Sequence, residues 1–235
     1  MLVSRFRPFP VLAATTLLIV CLATPLRALE APQAPAWPDT FTARLGALAL
    51  VQTLNAELLN NPSATLTLDR WCASHRLASD GAKIVADRIR DDDRPASPQV
   101  REALGVGPDE PVKYRRVKLR CGERVLSEAD NWYVPALLTE DMNRQLDTTD
   151  TSFGRVVQPL GFRRQTLAAR LLWQPLPQEW EMGAALPPGG AAPLAVPPYL
   201  LEHRAVLTLP DGRAFSALVE TYTSGVLAFP WLDRP

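Results

Sequence analysis

The chain has 235 residues, with 25 basic and 25 acidic side chains and no formal net charge. That length suits one domain with a sizeable core. No basic block interleaved with aromatic residues occurs, which argues against a nucleic-acid partner.

Residues 1–28 read as a secretory signal: Arg5 and Arg7 form a charged start, and residues 11–22 an apolar stretch too short to span a bilayer comfortably. Cleavage is expected after Ala28 or, as the alternative, after Ala23. The domain is therefore expected in the periplasm or outside the cell. An uncleaved signal would instead tether it to the membrane, its one expected membrane contact. Residues 29–38, rich in proline and alanine, predict a flexible lead-in, and residues 39–235 the folded domain. Export leaves Cys72 and Cys121. These either pair in an oxidising compartment or stay as free buried thiols at the ends of apolar stretches. There is no CxxC, no HExxH and no close His/Cys cluster, so no metal is expected.

Asp39 or Thr40 is placed to cap a helix, in which Phe41, Leu45, Leu48, Val51, Leu54 and Leu58 recur at helical spacing through Asn60. Asn61-Pro62 ends it. Residues 65–68 alternate and predict a strand running to about Cys72. Residues 73–111 show no clear period. The acidic run at residues 91–93 lacks the spacing and glycine of a calcium loop and reads as a solvated turn.

Residues 112–121 alternate clearly. Lys113, Arg115, Val117, Leu119 and Cys121 share one face, and Val112, Tyr114, Arg116, Lys118 and Arg120 the other. The second face is mostly cationic and suits solvent. The first sets Arg115 beside Val117 and Leu119 on the expected core side. A guanidinium keeps its proton, so away from water it needs a partner, either a protein carboxylate or that of a ligand.

Gly122-Glu123 turns this strand back into residues 124–134, making a hairpin. Residues 135–146 predict a helix with Leu138, Met142 and Leu146 inward. Asp150 or Thr151 is expected to cap the next helix, with Phe153, Val156, Val157 and Leu160 on one side and Gly161 at its end. Residues 162–173 predict a strand, and residues 174–198 a proline-rich insertion. Residues 200–209 and 213–222 form a hairpin about Pro210-Asp211-Gly212. Hairpins with helices between them predict an α+β fold: a single antiparallel sheet with helices packed on one face.

Glu220 shares a strand face with Ser216, Leu218 and Tyr222. A carboxylate there needs hydrogen bonds or an ion pair. Arg115 and Arg204 are the candidate partners. A buried Arg–Glu arrangement around a pocket also suits an anionic, hydroxylated ligand.

With these residues in place, the chain resembles the chorismate lyase (chorismate pyruvate-lyase) family. Thr53-Leu54-Asn55 and the strand after it sit where the family has a Ser-Met-Thr segment and its first strand. Arg115-Arg-Val-Lys-Leu119 with Gly122-Glu123 resembles the family's arginine strand and hairpin. Thr151-Ser-Phe-Gly-Arg155 resembles its Thr-Pro-Leu-Gly-Arg, and residues 207–220 its closing hairpin with the catalytic glutamate.

The resemblance implies a chorismate lyase-like fold with Arg115 and Glu220 as the catalytic residues. Arg115 would bind the ring carboxylate, and Glu220 would meet the ring hydroxyl or assist proton transfer. Leu54 and Phe153 would lend backbone groups and apolar walls, and Gly154 would allow close approach of the helix start to the ligand. The implied reaction cleaves chorismate to 4-hydroxybenzoate and pyruvate without a cofactor. The implied partner is a small cyclic or aromatic carboxylate, met by a monomer. Leu54 and Phe153 depart from the family's Met and Leu, the 72–112 connection and the proline-rich insertion are longer, and export is not expected of a lyase serving ubiquinone synthesis in the cytoplasm. The effector-binding (UTRA) domains of winged-helix regulators share this fold, but no DNA-binding domain is expected here. A non-catalytic periplasmic binding module is the alternative.

Overall fold

The computed structural model describes residues 36–90 and 93–231. The expected signal, the lead-in as far as residue 35, and residues 91 and 92 of the charged turn lie outside the described residues. In chain order the elements are β1 (Pro38–Asp39), α1 (Phe41–Asn60), α2 (Ala64–Ser74), β2 (Val85–Ile89), α3 (Pro98–Leu104), β3 (Lys113–Cys121), β4 (Arg124–Tyr133), α4 (Glu140–Thr148), α5 (Phe153–Val156), β5 (Arg163–Leu171), β6 (Gly190–Pro193), β7 (Tyr199–Thr208) and β8 (Ala214–Thr223). The fold is α+β. Six strands form an antiparallel sheet in the order β2-β3-β4-β8-β7-β5, and β1 pairs with β6 alongside it.

Register sets the inward face in rows. Arg115, Asn131, Leu218 and Ala205 stand abreast, and the next row is Val117, Ala129, Glu220 and His203. β3 alternates as its sequence predicts, with Arg115, Val117, Leu119 and Cys121 buried. The register shift in β3 falls at Leu119/Arg120, beyond Arg115. Val51, Leu54 and Leu58 of α1 and Leu68 and Trp71 of α2 form one core with Val117, Leu119 and Tyr222. Met142 and Leu146 of α4 and Val156 of α5 form a second core with Tyr133, Leu207 and Leu218. The outer face carries α3, whose Leu104 packs with Val206 and Ala217.

Several expectations change. The strand expected from residue 65 is the helix α2. Ser63 caps it by accepting a hydrogen bond from the Leu66 amide, and Thr65, Leu68, Trp71 and Cys72 are buried at helical spacing. The alternation of Thr65-Leu66-Thr67-Leu68 spans too few residues to tell the two periods apart. The helix expected at 135–146 is a 3-10 turn, Pro135–Leu137, followed by α4 capped by Thr139. Ser152 stands at the N-cap of α5, not Asp150 or Thr151. The insertion at 174–198 holds β6, which pairs with β1. At the end of the expected lead-in, Trp37 is buried and donates its indole N–H to the Phe229 carbonyl at 3.1 Å.

Cys72 and Cys121 form a disulfide with their Cα atoms 6.1 Å apart. It ties α2 to the end of β3. Cross-linking chain positions 49 residues apart restricts the unfolded chain, an effect worth about 2–4 kcal/mol. Replacing both cysteines by serine is therefore expected to lower the urea midpoint, and reductant should shift the native protein alone. An unchanged midpoint in the double variant would show that the bond adds nothing to stability.

Candidate functional site

Between the inward face of the sheet and the starts of α2 and α5 lies a small cavity. It measures about 50 Å³ to the centre of a water-sized sphere, which at ~10–15 Å³ per water leaves room for a few waters or one small ring. Val117, Leu119, Ala129, Phe153, Phe162, Leu207 and Leu218 give it apolar walls. Its polar groups are Ser63, Thr65, Arg115, Asn131, Arg164 and Glu220.

Arg115 and Glu220 thus line one cavity, one row apart on the sheet. Their circumstances differ. Arg115 is 3 % exposed. Its Nη2 donates to the Thr151 carbonyl at 3.1 Å, while Nε and Nη1 are buried without a partner. No carboxylate of the described residues forms an ion pair with it. Burial pulls its pKa down to about 10, with the nearby Arg88 charge acting in the same direction. It remains a cation at neutral pH.

Glu220 is satisfied on one oxygen. Arg164 Nη2 donates to Oε2 at 2.6 Å and the Tyr222 hydroxyl donates to the same atom at 3.0 Å. The Arg164 and Glu220 side chains are 4 % and 8 % exposed. Burial is the largest single influence and works against the Arg164 cation, but the Glu220 charge, Tyr222 and the hydrogen bond to Glu220 together outweigh it and the pKa rises. The Tyr222 hydroxyl is pushed well up by burial and by the Glu220 charge. The partner of Glu220 is therefore neither Arg115 nor Arg204. Arg204 is exposed and pairs with Glu202 at 3.3 Å.

Arg164 carries no signal in the sequence that singles it out. It stands on β5, where the inward residues Arg164 and Thr166 alternate with exposed Arg163, Gln165 and Leu167. A strand of such weak contrast does not reveal which face is buried.

His203 stands directly across from Glu220, on β7. Its Nε2 lies 2.8 Å from Asn55 Oδ1, so Nε2 carries the proton in the neutral ring, and Nδ1 is buried without a partner. Burial holds its pKa below the ordinary value, and the Arg164 charge adds to this against the opposing Glu220.

Phe153 and Gly154 reach the cavity, and Leu54 does not: it lies in the core of α1. The segment that meets the site is Ser63-Ala64-Thr65, at the first turn of α2. Gly154 packs α5 closely on that turn: a Cβ there would lie 3.0 Å from Ser63 Oγ and 3.3 Å from Thr65 Oγ1, so those side chains would have to give way. Arg155 fixes the same contact. Its Nη2 donates to Asp69 Oδ2 at 2.6 Å, while Asp69 Oδ1 accepts the Ile84 amide at 2.7 Å. Asn131, beside Arg115, is oriented by the Ser216 hydroxyl, which donates to its Oδ1 at 2.6 Å.

The uncharacterized protein y4mC of Sinorhizobium fredii (strain NBRC 101917 / NGR234) is 55% identical over 227 residues, covering 97% of this chain and 94% of its own length. The chain belongs to the same family as that protein. No family model matches it. Among solved structures, PhnF from Mycobacterium smegmatis is similar with a TM-score of 0.47 and 14% identity, over 75% of this chain and 70% of that chain. The effector domain of PhnF gives 0.45 and 14%, over 69% and 88%. The possible transcriptional regulator YydK from Bacillus subtilis gives 0.39 and 17%, over 68% and 66%.

Two expectations about stability follow. Arg164→Met strands a buried carboxylate, a loss of roughly 3–5 kcal/mol, and the double variant with Glu220→Leu should recover much of it. A denaturation double-mutant cycle with additive losses would show that the two side chains do not act as a pair. The second concerns His203. Its folded pKa lies below the ordinary value of 6.5, so the unfolded chain takes up the proton first. Stability should fall as pH drops below about 6.5 toward the folded pKa. His203→Gln should flatten that part of the stability profile. An equal slope in both proteins would place the titrating group elsewhere.

Proposed function

We propose that the cavity receives a small cyclic or aromatic carboxylate bearing a hydroxyl, and that chorismate is its substrate, cleaved to 4-hydroxybenzoate and pyruvate. The observation that supports this most is Arg115, a buried cation with unpartnered donors on an apolar cavity. A carboxylate would answer its charge and two of its N–H groups in the planar geometry a guanidinium favours. The ring would lie against Phe153, Phe162, Leu207 and Leu218, and the hydroxyl would meet the Oε1 side of Glu220.

In this reaction the bond from ring C3 to the enol-ether oxygen breaks. C4 gives up its hydrogen as the ring aromatises, and the departing enolpyruvyl group gains a proton on its methylene carbon to become pyruvate. Nothing is oxidised or reduced overall. The protein's part is to hold the dianion in a reactive geometry and to keep a proton acceptor near C4. Arg164 and Tyr222 hold Glu220 in place for that part.

The second reading is a binding module without turnover. The two hydrogen bonds on Glu220 Oε2 are compatible with it, since a carboxylate held in this way can accept from a ligand hydroxyl without moving a proton. In either reading the sequence of residues 1–28 supports action outside the cytoplasm, in the periplasm or tethered to the membrane.

A coupled pyruvate assay with chorismate, run beside calorimetry with 4-hydroxybenzoate, separates the two readings. Pyruvate release that vanishes in Arg115→Ala supports the lyase; tight binding without release supports the module. Arg115→Ala should weaken 4-hydroxybenzoate binding by at least about thirtyfold, because a buried charge partner is removed. Arg116 lies on the outer face against Glu128 at 3.3 Å and Asp130 at 3.8 Å. Arg116→Ala should cost less than about fivefold. Equal losses for the two variants would sink the assignment of Arg115.

A further inference from the structure

Arg115 also lines a second hollow, at the β2 edge of the sheet. β2 stops at Ile89, opposite Arg116, and a notch opens beside the first residues of β3. Arg88, Lys113, Arg115 and Tyr133 line it, with Asp147 from α4 and Asp93. Four features of this notch point to an anion.

The first is a donor count. A guanidinium has five N–H groups, and Arg115 gives one of them to the Thr151 carbonyl. A carboxylate in the inner cavity takes two, which leaves donors over. The second is the pair of like charges: Arg88 stands opposite Val117 on the same face as Arg115, and each cation raises the cost of the other. The third is Tyr133. It lies opposite Lys113 on that face, and its hydroxyl makes no hydrogen bond to any described residue. Burial, more than the Asp147 charge, pushes its pKa up to about 12, so it remains a donor. The fourth is how Asp147 is used. Its carboxylate pairs with Lys113 at 2.9 Å and stands 3.9 Å from Arg88, while its carbonyl accepts from Arg88 at 3.2 Å. One carboxylate thus answers two cations, and Arg115 has no ion pair among the described residues.

We propose that this notch is a second anion subsite, in which Arg88, the outer donors of Arg115 and the Tyr133 hydroxyl hold a compact carboxylate. Arg115 is then a shared wall, with one acid group on each side. The subsite goes beyond the inner-cavity reading and requires no turnover. It suits either a free small carboxylic acid or the outer acid group of a larger ligand.

The test is calorimetry with pyruvate as probe, on protein first saturated with 4-hydroxybenzoate. Pyruvate is expected to bind the saturated protein. Arg88→Gln should weaken that binding by about tenfold or more and Tyr133→Phe by roughly threefold to tenfold, with 4-hydroxybenzoate affinity within about threefold of native in Arg88→Gln. The retained 4-hydroxybenzoate binding certifies that the Arg88 variant is folded. Failure of pyruvate to bind the saturated protein, or binding indifferent to both substitutions, overturns the subsite and leaves the inner site standing. If 4-hydroxybenzoate itself does not bind, the inner-cavity reading fails. Pyruvate titrated alone into native protein and Arg88→Gln then decides the notch by the same tenfold criterion, with circular dichroism as the folding control.

Discussion

The structure depends on a buried guanidinium that the protein only partly satisfies. Removing a cation from water costs several kcal/mol even after relaxation, and leaving its donors unmade adds to that cost. Arg115 meets this with one backbone carbonyl, 3.1 Å away. The same sheet face holds a second buried guanidinium, Arg164, whose charge is paired with Glu220 at 2.6 Å, although its Nε too is buried without a partner. Two arginines in one cavity with such different treatment are hard to attribute to structural need. A purely structural Arg115 would be served by a carboxylate as Arg164 is.

The surrounding elements hold that arrangement in place. Arg115 projects from the third residue of a strand paired on one side over its whole length with β4, and Thr151 meets it from the turn before α5. That turn is fixed in its own right. Arg155 ties α5 to Asp69 of α2, and Gly154 lets the two helices close on each other. The disulfide joins α2 to the far end of β3, so the elements that carry Ser63, Thr65 and Arg115 are covalently linked. Preorganisation of this kind lowers the ordering cost that a ligand would otherwise meet.

Much of this was legible in the sequence where the period was long and the contrast strong. The ten residues from 112 to 121 alternate cleanly enough to place Arg115 inward, and the β7–β8 hairpin does the same for Glu220. Legibility failed where the pattern was short. Four alternating residues at 65–68 suggested a strand, although Ser63 is a good N-cap and Leu68 and Trp71 are three apart. That error carried over to the site: with the helix missed, Thr53-Leu54-Asn55 took the place that belongs to Ser63-Ala64-Thr65. Arg164 was hidden for a different reason. It is inward on an edge strand where its nearest inward neighbour is Thr166, and the adjacent Arg163 is exposed. Nothing local distinguishes the two, since only the distant Glu220 gives Arg164 its role.

The Arg164–Glu220 pair also bears on which ligands the cavity can hold. A lone Glu220 would repel any anion and draw a cation. Paired with Arg164, that end of the cavity is close to neutral in charge, while still presenting an acceptor on Oε1. The uncompensated charge lies at the Arg115 end. The inner cavity is therefore polar at both ends but cationic at one, with apolar walls between. A ligand that fills it well carries its acid at one end and a neutral hydrogen-bond donor at the other, on a rigid apolar body. A second acid at the Glu220 end would meet the carboxylate before it met Arg164, whose Nη2 is already engaged. Any further acid group on the same ligand has to project elsewhere, and the notch behind Arg115 is where the remaining positive charge lies.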